Sequence, residues 1–196
     1  KIIEIEQKSK ESYSIHLAVA PTKMNDRYEW FLEKATEIGI QEITPIICDH
    51  SERKIIKTDR FEKILQSAMK QSNQFYLPKL NEPITFKQFI NKNHEGNLFI
   101  AHCEDTEKNE LKDNIPLKEK YILLIGPEGD FSTKEIETAI SKNFKPVALG
   151  NTRLRTEYQK NPNFAVTTGS ITSGARFTNT KFTEAEAADN WRFDRT

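Results

Sequence analysis

Leu123-Leu124-Ile125-Gly126-Pro127-Glu128-Gly129-Asp130-Phe131-Ser132 is the stretch whose reading decides the fold. It completes the apolar run Tyr121 to Ile125, and a short continuous run of this kind suits a strand buried on both faces of a parallel sheet. Ser132 and Glu135 then make a capping-box pattern. It opens a helix with Ile136, Ala139 and Ile140 inward and an end near Asn143. A strand that ends in Gly-Pro-Glu-Gly and at once opens a capped helix brings backbone groups, not bulky side chains, to the carboxyl edge of the sheet. Open α/β sheets bind ligands at that edge. Glycine allows close approach and positive φ, while Pro127 fixes one φ angle. No Gly-Lys-Ser/Thr follows, so the turn is not a phosphate-binding P-loop, and as a bare pattern it could also be only a tight turn.

Outward from this point, strands and helices alternate. Leu98 to Cys103 is a second apolar run, and Pro146 to Leu149 is the strand after the capped helix. Upstream, Asp26 with Glu29 is a capping-box-like start for a helix ending at Gly39, with Phe31, Ala35 and Ile38 on one face. Ile40 to Cys48 reads as the strand that follows. Thr58 to Gln74 spaces Phe61, Ile64, Leu65, Ala68 and Met69 as the stripe of an amphipathic helix. Short connections between such elements imply an α/β layer fold with a mostly parallel sheet. Ile2 to Glu6 and Tyr13 to Ala20 look β-like with no helix to cover them, and Lys1 is not an initiator methionine. The chain therefore reads as a fragment whose N-terminal part is missing, or these strands pair elsewhere in the chain.

The chain of 196 residues holds 29 Lys+Arg against 29 Asp+Glu, a formal net charge of zero. With 36% hydrophobic residues it can bury a core, and 10% aromatic content argues against disorder. No apolar run reaches membrane-span length and no signal peptide is present, so a cytoplasmic location is expected. Cys48 and Cys103 are far apart with no partner at zinc spacing. They read as small strand residues, and neither a disulfide scaffold nor a metal is expected. Zero charge disfavours a generally basic nucleic-acid binder but leaves a local patch possible. Such a patch runs from Arg53 to Lys79, where Arg53, Lys54, Lys57, Arg60, Lys63, Lys70 and Lys79 outnumber Asp59 and Glu62. It is either a solvated helix face or a phosphate-contacting surface. His102 ends a strand without an identified partner and reads as structural. His16, His50 and His94 carry no motif.

A second special cluster follows the last strand: Ala148-Leu149-Gly150-Asn151-Thr152-Arg153-Leu154-Arg155-Thr156-Glu157. If that strand lies beside the first, both loops face one edge and could enclose one small molecule. The two clusters together resemble the RsmE family (ribosomal RNA small subunit methyltransferase E) of SPOUT-class methyltransferases. Upstream, Glu33-Lys34-Ala35-Thr36-Glu37-Ile38-Gly39, Ile43-Thr44-Pro45, Ser51-Glu52-Arg53, Ala68-Met69-Lys70-Gln71-Ser72 and Leu77-Pro78-Lys79-Leu80 follow the family's pattern in order. The resemblance covers roughly residues 15 to 157.

The resemblance implies an α/β domain with a trefoil knot, an exception to the rule that connections do not thread. It also implies S-adenosylmethionine as cofactor, a homodimer, and 16S ribosomal RNA of the small subunit as partner, methylated at N3 of a uridine. A PUA-like β-barrel would come before this domain, so residues 1–20 would be its remnant and linker, 21–157 the methyltransferase domain and 158–196 an atypical C-terminal segment. Gly126, Pro127, Glu128, Gly129, Leu149, Gly150, Leu154 and Thr156 would hold the cofactor. Arg155 and Glu157 would be catalytic, because uracil N3 must lose its proton before it attacks the methyl carbon and needs a base or an anion-stabilising cation nearby. Arg53, Lys54, Lys57 and Lys70 would contact RNA backbone. No metal is implied.

Two departures stand out. Asp130 occupies the place of a second glycine, a mild change because Asp adopts the left-handed conformation better than most residues. After Glu157, Tyr158-Gln159-Lys160-Asn161-Pro162-Asn163 replaces the family's Thr-Ala and apolar helix, and only Thr183 to Asp189 favours helix in the rest of the tail. A catalytically silent RNA-binding module is therefore the second reading.

Overall fold

The computed structural model describes residues 13–104, 108–111 and 119–149. The elements run β1 (Ser14–Val19), α1 (Asn25–Glu37), β2 (Glu42–Ile47), α2 (Thr58–Gln71), β3 (Lys79–Leu80), β4 (Ile84–Thr85), α3 (Phe86–Ile90), β5 (Asn97–Ala101), β6 (Asn109–Glu110), β7 (Lys120–Ile125), α4 (Thr133–Ser141) and β8 (Lys145–Ala148). The strands form one sheet in the order β3-β2-β1-β7-β5-β8-β6, with β4 also on β2. Every described pairing is parallel. Parallel strands need crossovers, and the expected helices α1, α2 and α4 supply three of them, while α3, not among the expected helices, joins β4 to β5.

Each strand alternates its side chains between two apolar layers. Leu17, Val19, Ile43, Phe99, Leu123 and Ile125 face α1 and α2, where Tyr28, Phe31, Leu32, Phe61 and Leu65 cover them. Ala18, Ile46, Ile100, Ile122 and Leu124 face α3 and α4, under Phe86, Phe89, Ile90, Ile136 and Ala139. The continuous apolar runs are thus two-sided strands, as expected.

Four expectations need correction. Residues 14–19 are not a barrel remnant: β1 is the middle of the sheet, with Leu17 opposite Ile43 of β2 and opposite Leu123 of β7. A strand that looked uncovered is covered on both faces by helices later in the chain. The Asp26–Glu29 capping box does not form. Met24 is the N-cap without a side-chain bond, and Asp26 accepts instead from the Arg27 amide. Ile140 is 47% exposed, so α4 buries only Ile136 and Ala139 of the expected stripe, with Glu135 beside them. Cys48 and Cys103 lie just past the ends of β2 and β5, not within the strands. By contrast, Ser132 and Glu135 form the full reciprocal capping box.

Candidate functional site at the carboxyl edge of the sheet

The strand order puts β5 between the two motif-bearing strands. Ala101 is opposite Ile125 of β7 on one side and opposite Val147 of β8 on the other. The next residues at this edge are Gly126, His102 and Ala148. β7 and β8 are therefore not neighbours but two strand spacings apart, about 10 Å. Both strands still end at the same edge, with the end of β5 between them. The strand order also reverses between β1 and β7, which are parallel neighbours, and this places the loop after β1 beside the Gly126–Gly129 turn at a topological switch point.

The Gly126–Gly129 turn is shaped by close approach. A Cβ on Gly126 would come within 3.1 Å of Phe131, and one on Gly129 within 3.2 Å of the His50 Cβ. Neither glycine has positive φ; the left-handed residue is Asp130, at φ 64°. Its amide donates to the Pro127 carbonyl at 3.0 Å, closing the turn. Its carboxylate accepts from the Cys103 amide at 2.6 Å and the Phe131 amide at 2.8 Å. Asp130 therefore does what glycine cannot, and ties the turn to the end of β5.

Other loops are locked onto the same turn. Glu128 accepts from the Lys23 amide at 3.1 Å. Arg53 donates to the Lys23 carbonyl at 3.1 Å, and the Lys23 ammonium pairs with Glu52 at 2.8 Å. His50 Nδ1 lies 3.1 Å and 3.2 Å from the Gly129 and Asp130 carbonyls, so Nδ1 carries the proton and donates. Buried Glu135 accepts from both the Asp49 and Ser132 amides, and the Ser132 hydroxyl reaches Asp49 at 2.8 Å. The Ser51-Glu52-Arg53 motif thus serves the turn after β7 through the loop after β1.

The expected site residues divide by position. Gly126, Pro127, Glu128, Gly129 and Leu149 lie at this edge, Leu149 half-buried against the core. Gly150, Leu154, Arg155, Thr156 and Glu157 lie outside the described residues. Arg53, Lys54 and Lys57 are at the same edge, Lys54 and Lys57 exposed. Lys70 is at the far end of α2, about 20 Å along the helix axis. Arg60 is paired with Glu29 at 2.7 Å and Lys79 with Glu42 at 3.0 Å. The basic region is therefore several separate cations, with Lys79 at the opposite edge of the sheet. That opposite edge also holds a cavity of about 570 Å³, lined among others by His16, Glu42, Thr44, Asn81 and His94. It is remote from both motifs.

The sequence missed His50 and Lys23, which have no motif of their own. It also read His102 as structural. His102 is 7% exposed, and neither ring nitrogen has a hydrogen-bond partner among the described residues. Burial, with Lys108 nearby, holds its pKa below the ordinary histidine value, against the opposing pull of Asp130 and Glu104. No group of three or more His, Cys, Asp or Glu among the described residues could hold a metal.

A family described as the RNA methyltransferase domain matches residues 9–158. The chain belongs to this RNA methyltransferase family. It is 34% identical over 151 residues to the ribosomal RNA small subunit methyltransferase E of Buchnera aphidicola, an alignment covering 73% of this chain and 58% of that protein. Among solved structures, the chain superposes on a probable rRNA-methyltransferase from Porphyromonas gingivalis with a TM-score of 0.75. They share 38% identity, and the match covers 83% of this chain and 69% of that one. The ribosomal RNA small subunit methyltransferase E from Neisseria gonorrhoeae, solved bound to S-adenosyl methionine, matches with a TM-score of 0.69 and 26% identity, covering 82% and 68%. The chain spans between about half and two thirds of the length of the curated relatives it matches.

Two observations fit S-adenosylmethionine to this edge. The glycines at 126 and 129 let Phe131 and His50 pack closely against the turn and fix its shape, and a buried imidazole without a described partner stands at the end of β5. The residues present suit a polar, partly apolar ligand of that kind.

Proposed function

We propose that the protein is an S-adenosylmethionine-dependent methyltransferase acting on N3 of a uridine in 16S ribosomal RNA of the small subunit, working as a homodimer in the cytoplasm. The observation that carries this reading is the carboxyl edge itself. The loops after β1, β2 and β5 converge on the Gly126–Gly129 turn there, in a chain of the RNA methyltransferase family.

The cofactor, when bound, supplies an electrophilic methyl group already activated by its sulfonium. The chain's residues do the rest. Gly126 and Gly129 let Phe131 and His50 pack closely against the turn, while Asp130, His50 and the Glu128–Lys23 link hold it rigid before binding. A rigid turn costs little ordering entropy when the ligand enters. Uracil N3 becomes nucleophilic only when its proton is removed or its carbonyl charge is stabilised, the role we assign to Arg155 and Glu157. The target base must leave its stack to reach such an edge, and Lys54 and Lys57 are placed to contact the flanking backbone.

The trefoil knot belongs to this proposal. Its support is that β8 lies between β5 and β6, so the connection from Ala101 to Asn109 spans the width of β8 at the edge toward which β8 runs. A PUA-like barrel is proposed to precede the domain, whose sheet includes β1.

The test is methyl transfer. Small ribosomal subunits lacking the modification, incubated with the protein and labelled methyl donor, should acquire label at N3 of one 16S uridine. Label on another base, or on protein, would overturn the substrate. Titration with S-adenosylmethionine should show saturable binding, and none at millimolar cofactor would leave the RNA-binding module as the better reading.

A further inference from the structure

The polar groups around the end of β5 are satisfied with one exception. The Cys103 amide is held by Asp130, the Lys108 ammonium donates to the His102 carbonyl at 2.8 Å, and the Thr133 hydroxyl donates to Glu104 at 2.7 Å. The His102 ring alone has two buried nitrogens with no partner among the described residues. Buried polar groups are nearly always paired, and one left unpaired costs free energy that a ligand's own donor and acceptor can restore. The register puts His102 level with Gly126 and Ala148, between the ends of β7 and β8.

We propose that the His102 imidazole is a cofactor-contacting residue that hydrogen-bonds the adenosine part of the methyl donor. The inference rests on the methyltransferase reading above. A neutral imidazole offers one N–H donor and one acceptor, which matches the donor–acceptor edge of adenine or the ribose hydroxyls. Burial keeps the ring in that neutral form. The methionyl part carries a carboxylate and an ammonium, and charged groups suit it better. At this edge Lys23, Glu52 and Glu128 are grouped on the β1 side, whereas the charged groups beside His102 are already engaged, Asp130 by the Cys103 amide, Glu104 by the Thr133 hydroxyl and Lys108 by the His102 carbonyl.

The experiment compares the full chain with H102F and H102Q by calorimetric titration, using S-adenosylhomocysteine, adenosine and L-methionine as separate probes, with thermal unfolding alongside. Phenylalanine fills the space without polar atoms, so H102F should unfold at or above the wild-type temperature. It should bind S-adenosylhomocysteine and adenosine at least tenfold more weakly, with methionine binding unchanged. Glutamine, which also has a donor and an acceptor, should recover part of the loss. In the wild type, the His102 ring nitrogen resonances should shift when adenosine is added. H102F that binds S-adenosylhomocysteine as tightly as wild type would overturn the assignment alone. So would a lower unfolding temperature with unchanged affinity, which would mark a structural role. Wild-type protein that binds no S-adenosylhomocysteine would overturn the proposed function and this assignment together.

Discussion

Removing the Asp130 carboxylate tests whether the departure from glycine at this position is a tie or merely a tolerated substitution. The carboxylate accepts the Cys103 and Phe131 amides from a residue at φ 64°. In D130A both bonds go, while a Cβ stays in the left-handed region. In D130G both bonds go, but the backbone is relaxed. Hydrogen bonds to a charged acceptor contribute about 1.5–3 kcal/mol when buried and nearer 1 kcal/mol at a half-exposed site such as this. The Phe131 bond is local and contributes less than the Cys103 bond. A non-glycine residue in the left-handed region costs about 1–2 kcal/mol, less for Asp than for Ala. D130A should therefore lose about 2–3 kcal/mol and D130G about 1 kcal/mol or less. Urea unfolding at neutral pH reads both. Hydrogen exchange adds the local signature, with the Cys103 amide exchanging faster in both variants and protected in D130N, which keeps one acceptor oxygen. Equal losses in D130A and D130G, or an unaltered Cys103 amide, would refute the reasoning.

Three further outcomes follow from the same contacts. His16 Nε2 lies 2.7 Å from the Thr44 hydroxyl, and burial lowers its pKa to about 4, against the opposing effect of Glu42. Its folded pKa is below its unfolded value, so its stabilisation is full above pH 6.5 and is lost as pH falls toward 4, by at most about 3 kcal/mol; pH-dependent urea midpoints should flatten in that window in H16Q. G129A should cost about 1–3 kcal/mol by forcing its Cβ against His50, and H50A should restore part of that, giving a coupling near 1 kcal/mol in a double-mutant cycle. E135A leaves the Asp49 and Ser132 amides unpaired and should cost about 2–4 kcal/mol in unfolding free energy, whereas E135Q keeps one acceptor and should lose about half as much.

Much of the layer architecture is legible because its elements carry strong periodic signals. Tyr121 to Ile125 and Leu98 to Cys103 suit two-sided strands, which they form except for the end of the second run past Ala101, and Phe61, Leu65 and Ala68 mark the buried face of α2. β1 misled because its covering helices lie elsewhere in the chain, and local pattern says nothing about partners so distant. The Asp26–Glu29 spacing matched a motif that the backbone at Met24 did not use. At the site, the glycines announced a turn, but the reason they are needed, His50 and Phe131 at close range, comes from packing between loops. His102 was legible as a strand end and no more, because its strand order between β7 and β8 is a property of topology.

That topology also governs when the sheet can form. β1 pairs with β7 roughly a hundred residues later, as Ser14 opposite Lys120, and β5 has no described strand partner other than β7 and β8. While the ribosome has released only residues up to about 110, β1 with β2 and β5 by itself are separate pieces, each with an apolar strand edge open to other chains. β7 is the staple that joins them. Folding of this domain is therefore expected to be late and slow for its size, since non-local parallel pairing must first meet its loop-closure cost. A nascent chain stalled before residue 120 would be a strong client for chaperones.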